Sequence, residues 1–313
     1  MLGKHKDLLG LKDLSADEIK YILDNAKTMK YILLQNNKKT PHLQGKSVIT
    51  LFYENSTRTR LSFELASKYM GASAANVSAS SSSVRKGETL IDTARTIDAM
   101  GTDIIILRHS MSGAPHLIAK NVKASVINAG DGMNEHPTQA LLDAFTILEH
   151  KGSIEGLKVA IVGDIMHSRV VRSNIYALTK LGARVAIGGP ATLLPKGIEN
   201  LGIEVYDNIN EALADADVVM GLRMQLERQH SGLVPNIREY ARFFGVDDKR
   251  LALAKPDALL MHPGPVNRGF ELTSSVIDGA SSVIDEQVTN GVAVRMAVLY
   301  ILARRGEGNE NID

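Results

Sequence analysis

Apolar positions along the chain recur at two alternating spacings. "LSADEIKYILDNAKTMKYILLQ" has the three-to-four-residue period of a helix. It opens on a capping box, with Ser15 as N-cap and Glu18 three residues later. "KSVITLFY" is a short apolar run of the kind a buried strand shows, and "TRTRLSFELASKYMGA" returns to helical spacing, closed by Gly71. The rhythm continues with a helix over "LIDTARTIDAMG", a strand over "TDIIILRH", a helix over "PHLIAKNV" and a strand over "ASVINAG". "HPTQALLDAFTILEHKG" is a helix with Pro137 in its first turn, where a missing N–H costs little.

The second half repeats the pattern. "LKVAIVGD" reads as a strand, "RVVRSNIYALTKLG" as a helix, "ARVAIGGP" and "GIEVYD" as strands, and "NEALADADVVMGLR" as a helix running into a strand. "KPDALLMHPGP" is a strand and loop, and "NGVAVRMAVLYILARR" is an apolar closing helix. Strands alternating with helices predict an α/β protein with two doubly wound parallel sheets. At 313 residues two domains are expected. We place the boundary near His136, giving residues 1–136 plus 289–313 and residues 137–288, joined by bridging helices. One stretch breaks the rhythm. "NVSASSSSVRKGETL" is serine-rich, aperiodic and long for a connection, a composition found both in functional loops and in disordered segments.

Ligands of open parallel sheets bind outside the carboxyl ends of the strands. The stretches that follow the predicted strands are "ENSTRTR", "RHSMSG", "GDGMNEHPTQ", "GDIMHSR", "RMQLERQ" and "HPGPVNRG". Six such exits carry arginine, histidine, hydroxyl, amide or proline-turn chemistry, whereas the opposite ends carry ordinary turns such as "LGAR" and "MGTD". In "STRTR" the backbone N–H groups of Ser56 to Thr59 open a helix, where partial positive charge and hydroxyl donors suit an anion. Arg58 adds a guanidinium able to hold phosphate or carboxylate bidentately. Read alone, Ser56 is an ordinary N-cap, and Arg60 is a structural arginine within reach of Glu64 one turn on. Arg108 leaves its strand on the same rim. His136, before Pro137, reads either as a helix cap or as a neutral imidazole donating to a carbonyl oxygen, because a helix start disfavours imidazolium. Gln139 shares its helix face.

Composition narrows the classes. A net charge of +1 provides no global field for nucleic acid or a membrane surface, and 4% aromatics with no tryptophan weakens a base-stacking role. Without cysteine there is no disulfide, thiolate nucleophile or thiolate-bound zinc. No apolar run has the length of a membrane span, and the first twenty residues lack a signal-peptide core, so a cytoplasmic location is expected. There is no phosphate-binding G-x-x-x-x-G-K-[ST], no dinucleotide G-x-G-x-x-G, no zinc H-E-x-x-H and no G-x-S-x-G. Nothing in the pattern calls for a metal or an organic cofactor.

Taken in order, "STRTR", "SVRKGET", "LRHS", "NAGDGMNEHPTQ", "VGDIMHSRV", "LRMQLER" and "HPGPVNRG" resemble the catalytic chains of the aspartate carbamoyltransferase family. "STRTR" alone would indicate only the wider carbamoyltransferase superfamily. The resemblance runs from about Val48 to the final helix. It implies that carbamoyl phosphate and L-aspartate give N-carbamoyl-L-aspartate and phosphate, early in pyrimidine biosynthesis, in a homotrimer with shared active sites.

By motif, Ser56, Thr57, Arg58 and Thr59 are implied to bind the phosphate, and Arg108 the phosphate and carbonyl. His136 and Gln139 are implied at the carbamoyl group. Ser82 and Lys86 would enter a neighbouring subunit's site, Lys86 near both substrates. Arg169, Arg223 and Gln225 would hold aspartate, with the backbone of Gly264 and Pro265 orienting its amine. Arg58, Thr59, Lys86, Arg108 and His136 are the implied catalytic set.

Two positions depart from the family. Asn55 stands where many members have proline, and Gly264 where many have leucine or alanine; a glycine there is expected to be tolerated and to loosen the loop. The resemblance leaves open a regulatory chain or dihydroorotase as a partner. Two rival readings remain. One is ornithine carbamoyltransferase, although that family has His-Cys-Leu-Pro where this chain has "HPGP" and needs acidic partners for an ammonium. The other is a non-catalytic chain that binds anions within an assembly.

Overall fold

A computed structural model describes residues 5–78, 87–225 and 236–304. The chain divides into two compact units, Met1–Leu141 with Thr289–Asp313, and Leu142–Val288. The division falls inside the helix that follows His136.

The first unit opens with α1 (Ala16–Leu33), whose Ser15–Glu18 capping box satisfies two N–H groups that a helix start leaves open. The chain then alternates β1 (Ser47–Phe52), α2 (Thr57–Tyr69), β2 (Ser73–Ser78), α3 (Leu90–Ala99), β3 (Ile104–His109), α4 (Ala114–Ala119), β4 (Ser125–Asp131) and α5 (Pro137–Lys151). The strands pair in parallel in the order β2-β1-β3-β4. Leu51, Ile105, Leu107 and Val126 of the sheet pack with Ala94, Ile97 and Ile118 of the helices. Each buried Leu, Ile or Val among them contributes about 1.5–3 kcal/mol.

β2 was not anticipated. Its sequence, SAANVS, is small and polar, and no residue from Ser73 to Val77 is buried. An edge strand of this kind carries no hydrophobic signature. It takes in the first residues of the serine-rich stretch; residues 79–86 of that stretch, with Ser82 and Lys86, lie outside the described residues.

The second unit continues with β5 (Lys158–Val162), α6 (Arg169–Lys180), β6 (Arg184–Gly188), β7 (Glu204–Tyr206), α7 (Ile209–Leu213) and β8 (Val218–Gly221). There follow α8 (Ile237–Phe244), α9 (Asp248–Leu251), β9 (Leu259–Met261), α10 (Ser274–Ile277) and α11 (Ile284–Ala303), which returns into the first unit. Its parallel order is β7-β6-β5-β8-β9. The short helices α8 to α10 escaped the sequence reading because each buries at most one residue, Tyr240 in α8 and Val276 in α10.

Both sheets reverse their strand order at one place. In the first unit the chain leaves β1 for β2 on one side and returns to β3 on the other; in the second, β5 is left for β6 and rejoined by β8. Such reversals splay the connecting loops apart and leave a crevice at the carboxyl ends of the two central strands. At the opposite ends carboxylates cap the strands: Ser47 N–H donates to Asp103 (2.8 Å) and Lys158 N–H to Asp217 (2.9 Å).

Candidate active site

The β1/β3 reversal is flanked by "ENSTRTR" and Arg108. Tyr53 N–H donates to the Arg108 carbonyl (2.9 Å), so the two strands stay paired to the rim. Ser56 is the N-cap of α2, its hydroxyl accepting from Thr59 N–H at 3.3 Å. Thr59 is buried, Thr57 exposed and Arg58 half-buried. Among the described residues nothing hydrogen-bonds or ion-pairs the Arg58 guanidinium, and burial pushes it below its ordinary pKa. A cation desolvated without a partner is held ready for an anion.

Arg60 is exposed, and Glu64 does not take it as its ion-pair partner. Glu64 instead bonds Lys68 (2.6 Å) and Asn76 (3.1 Å), because Lys68 lies one turn on and β2 brings Asn76 across. Arg108 lies 3.6 Å from Glu54 and donates to the Ala129 carbonyl (3.3 Å).

The β4–α5 connection is organised by Asp131, which is fully buried. Its carboxylate accepts from Gly113 N–H (2.7 Å), Asn128 Nδ2 (2.8 Å), Asn134 Nδ2 (3.1 Å) and Glu135 N–H (3.1 Å). Gly113 belongs to the turn after Arg108, and Glu135 precedes His136. One carboxylate thus fixes two rim loops. Glu135 in turn accepts from Leu11 N–H (2.7 Å). His136 is buried at the start of α5, its carbonyl accepting from Gln139 N–H (3.0 Å) and Ala140 N–H (3.3 Å); Gln139 is also buried. Beside them, burial pushes the His109 imidazole below its ordinary pKa, against the opposing pull of Glu54 and Asp131.

The β5/β8 reversal has the same construction. Asp164, fully buried, accepts from the His167 Nδ1–H (2.8 Å) and from Gln225 N–H (3.1 Å). It therefore ties the turn before Arg169 to the segment holding Arg223. Arg169 is buried as the first residue of α6, whereas Arg223 and Gln225 are half-buried. Leu222 N–H donates to the Val162 carbonyl (2.8 Å), carrying the pairing of β5 and β8 to this rim. A side chain at Gly163 (φ +132°) would meet the Leu222 carbonyl at 2.9 Å, so only glycine fits this turn. Tyr240 lies buried below, its phenol pKa raised by burial and by the charges of Glu271 and Asp164.

Gly264 and Pro265 follow β9 in this same unit, and Gly264 has φ +60°. In that left-handed region an L side chain costs roughly 1–2 kcal/mol, so this glycine matches its backbone.

Electrostatic sorting is visible in the helix starts. Among described helices of eight or more residues, α1, α3, α8 and α11 carry an acidic residue in the first turn; α2, α5 and α6 carry none. Of the three without acids, α2 and α6 follow the central strands β1 and β5 at the reversals and α5 follows β4, so their positive dipole ends stay uncompensated by their own side chains.

The structure therefore groups Ser56, Thr57, Arg58, Thr59, Arg108, His136 and Gln139 on the loops of the first sheet's carboxyl rim. Arg169, Arg223, Gln225, Gly264 and Pro265 lie on the corresponding loops of the second. Asp131, Asp164 and Glu54 were not singled out from sequence. The available signal was a "GD" pair at two strand exits, Gly130-Asp131 and Gly163-Asp164, where an aspartate commonly accepts local backbone N–H groups. Among the described residues, no group of three or more His, Asp or Glu side chains is disposed to hold a metal, and no helix is long and apolar enough to cross a membrane.

Two family models match nearly end to end. "Aspartate/ornithine carbamoyltransferase, carbamoyl-P binding domain" covers residues 6–149, and "Aspartate/ornithine carbamoyltransferase, Asp/Orn binding domain" covers 155–302. An aspartate carbamoyltransferase catalytic subunit of Ruminiclostridium cellulolyticum is 76% identical over 310 residues, 99% of each chain. One of Acetivibrio thermocellus is 72% identical over 98% of this chain and 99% of its own. Among solved structures, aspartate transcarbamoylase of Trypanosoma cruzi with carbamoyl phosphate superposes with a TM-score of 0.84 at 30% identity, covering 94% of this chain and 95% of that one. Ornithine carbamoyltransferase of Pyrococcus furiosus gives 0.84 at 34% identity, covering 97% and 98%.

Proposed function

The chain belongs to the aspartate/ornithine carbamoyltransferase family, and from that premise we propose that it transfers the carbamoyl group of carbamoyl phosphate to the amine of L-aspartate. The products are N-carbamoyl-L-aspartate and phosphate, and the reaction serves pyrimidine biosynthesis. The observation that carries this reading is the pair of cationic rims at the two sheet reversals, each beside helix starts free of acids. Carbamoyl phosphate is a dianion and aspartate brings two carboxylates. The reaction thus calls for the concentration of positive charge that Arg58, Arg108, Arg169 and Arg223 supply.

In the proposed mechanism the phosphate sits on the N–H groups and hydroxyls of Ser56, Thr57 and Thr59, with Arg58 and Arg108 across it. Arg169, Arg223 and Gln225 hold the aspartate carboxylates, and the backbone at Gly264 and Pro265 orients the amine. The amine lone pair attacks the carbonyl carbon, a C–N bond forms, and charge develops on the carbonyl oxygen. Thr59, Arg108 and His136 donate to that oxygen, His136 as a neutral ring at a helix start. The C–O bond to phosphate then breaks, and the departing phosphate takes the amine proton. No protein nucleophile takes part, so catalysis consists of positioning and electrostatic stabilisation.

Transfer requires the two substrates to meet in one reaction centre. Ser82 and Lys86 complete that centre from a neighbouring subunit in a cytoplasmic homotrimer, the assembly the resemblance implies.

Aspartate is favoured over ornithine by chemistry as well as by the 76% and 72% identical relatives. "LRMQ" presents a cation and an amide, and the chain has no cysteine to stand in the His-Cys-Leu-Pro position. Steady-state assays with carbamoyl phosphate and either amino acid test the reading. Turnover with aspartate and none with ornithine is expected; the reverse overturns it, and binding of substrates without turnover would mark a non-catalytic chain.

A further inference from the structure

The loop after β9 is clamped by a buried imidazole. His262 leaves the sheet with its peptide N–H donating to Gln287 Oε1 (2.9 Å), and Gln287 Nε2 donates to Asp143 Oδ1 (2.7 Å). His262 Nδ1 accepts from Gly264 N–H at 2.8 Å. A ring nitrogen that accepts from an N–H carries no proton, so the neutral ring holds its proton on Nε2. That nitrogen lies 3.4 Å from Glu271 Oε1, and both side chains are buried. The same carboxylate oxygen accepts from Asn267 N–H at 2.7 Å.

Residues 263–267 are therefore fastened at one end by the ring and at the other by the carboxylate, and the ring is next to the carboxylate. The ring also lies along the last residue of β8: a Cβ on Gly221 would stand 3.4 Å from His262 Cδ2. His262 thus sits against the exits of both β8 and β9, which lead to Arg223 and to Gly264.

We propose that His262, its tautomer set by the Gly264 N–H, is a positioning residue for the amino-acid substrate. The inference rests on the aspartate-binding role proposed for Gly264 and Pro265. In a trans peptide the N–H and C=O point in opposite directions, so anchoring Gly264 N–H inward turns the Pro263 carbonyl outward and sets the plane from which the loop continues. Glycine at 264 leaves this turn with more backbone freedom than any other residue would, and the hydrogen bond to Nδ1 removes that freedom before substrate arrives. Neither packing nor solubility requires a histidine at a fully buried strand exit; an acceptor facing Gly264 with a donor facing Glu271 does.

The test uses the full-length chain, with aspartate varied at saturating carbamoyl phosphate and the converse. His262→Leu removes both ring contacts, whereas His262→Asn keeps an oxygen near the Nδ1 position. His262→Leu is expected to raise the aspartate KM about tenfold, the equivalent of one lost hydrogen bond, and to leave the carbamoyl phosphate KM within about twofold. His262→Asn is expected to recover most of the loss. Nitrogen-15 spectra of the unsubstituted chain should show His262 with Nε2 protonated and Nδ1 bare, a reading that needs no folded variant. An unchanged aspartate KM in His262→Leu, equal rises in both KM values, no recovery with asparagine, or a proton on Nδ1 overturns the proposal. If the unsubstituted enzyme fails to use aspartate, the functional reading falls instead, and the tautomer measurement still judges the clamp.

Discussion

Replacing Asp131 with asparagine isolates what its charge does for the first rim. The side chain keeps its shape and stays buried, but one accepting oxygen becomes an NH2 group. Oδ2 accepts from Gly113 N–H and Asn134 Nδ2, and Oδ1 from Asn128 Nδ2 and Glu135 N–H. Whichever way the amide turns, two of these donors face two new donors. Each buried donor left without an acceptor costs about 1–3 kcal/mol, so the substitution should destabilise the protein by about 2–6 kcal/mol. That is a large part of the ~5–15 kcal/mol that holds a typical domain together. Urea denaturation measures the loss, with Asp13→Asn at an exposed position as a control expected to change little. Since the freed segments follow Arg108 and precede His136, the carbamoyl phosphate KM should rise while the aspartate KM stays near its original value. A loss of stability below about 1 kcal/mol would show that the four donors find other partners and that Asp131 does not organise the rim.

Arg58→Ala should lower kcat by more than about tenfold, a loss of over roughly 1.4 kcal/mol in transition-state stabilisation; a smaller effect in steady-state assays removes Arg58 from the phosphate site. Gly264→Ala should lower the urea-unfolding free energy by roughly 1–2 kcal/mol, because φ is +60° there; a neutral result means the loop relaxes to another backbone conformation. His109 gives a pH prediction. Its folded-state pKa lies below the ordinary 6.5, chiefly through burial, so the folded state binds fewer protons than the unfolded one as pH falls from 6.5 towards that lowered value. Stability should decline over that window, and His109→Asn, which retains an acceptor for Met111 N–H, should flatten the decline in urea midpoints compared at about pH 7.5 and about pH 5.5. An unchanged slope would sink it.

The strand–helix rhythm was legible because parallel strands buried on both faces are unbroken apolar runs, as in Ile104–Leu107, between helices of regular period. The rims were legible for a related reason: "STRTR", "LRHS" and "LRMQ" each overlap such a run or follow it after two intervening residues, so sequence order alone places them at a carboxyl end. Besides the short helices α8 to α10, three things were hidden. β2 pairs along an edge with no side chain from Ser73 to Val77 buried, so its pairing with β1 leaves no trace in local hydropathy. Asp131 and Asp164 were not singled out because their donors include groups 18 and 61 positions away, Gly113 and Gln225. His262 looked like part of a proline-rich loop, and only the position of Gly264 N–H shows that its ring is an acceptor.

The same distinction explains how a chain with net charge +1 presents two cationic rims. Counting charges treats an aspartate and an arginine as cancelling wherever they stand. In the folded units the acids near the rims are turned towards protein donors: Asp131 towards backbone and amide groups, Asp164 towards His167 and Gln225 N–H. Other carboxylates, such as Asp103 and Asp217, cap strand starts at the far end of each sheet. Arg58, desolvated and without a partner among the described residues, is the converse case. A carboxylate surrounded by N–H groups projects little field beyond them, whereas a half-buried guanidinium near an acid-free helix start projects all of its own. Anion affinity in this chain is thus set by which charges are already spoken for, a property of the hydrogen-bond map rather than of composition.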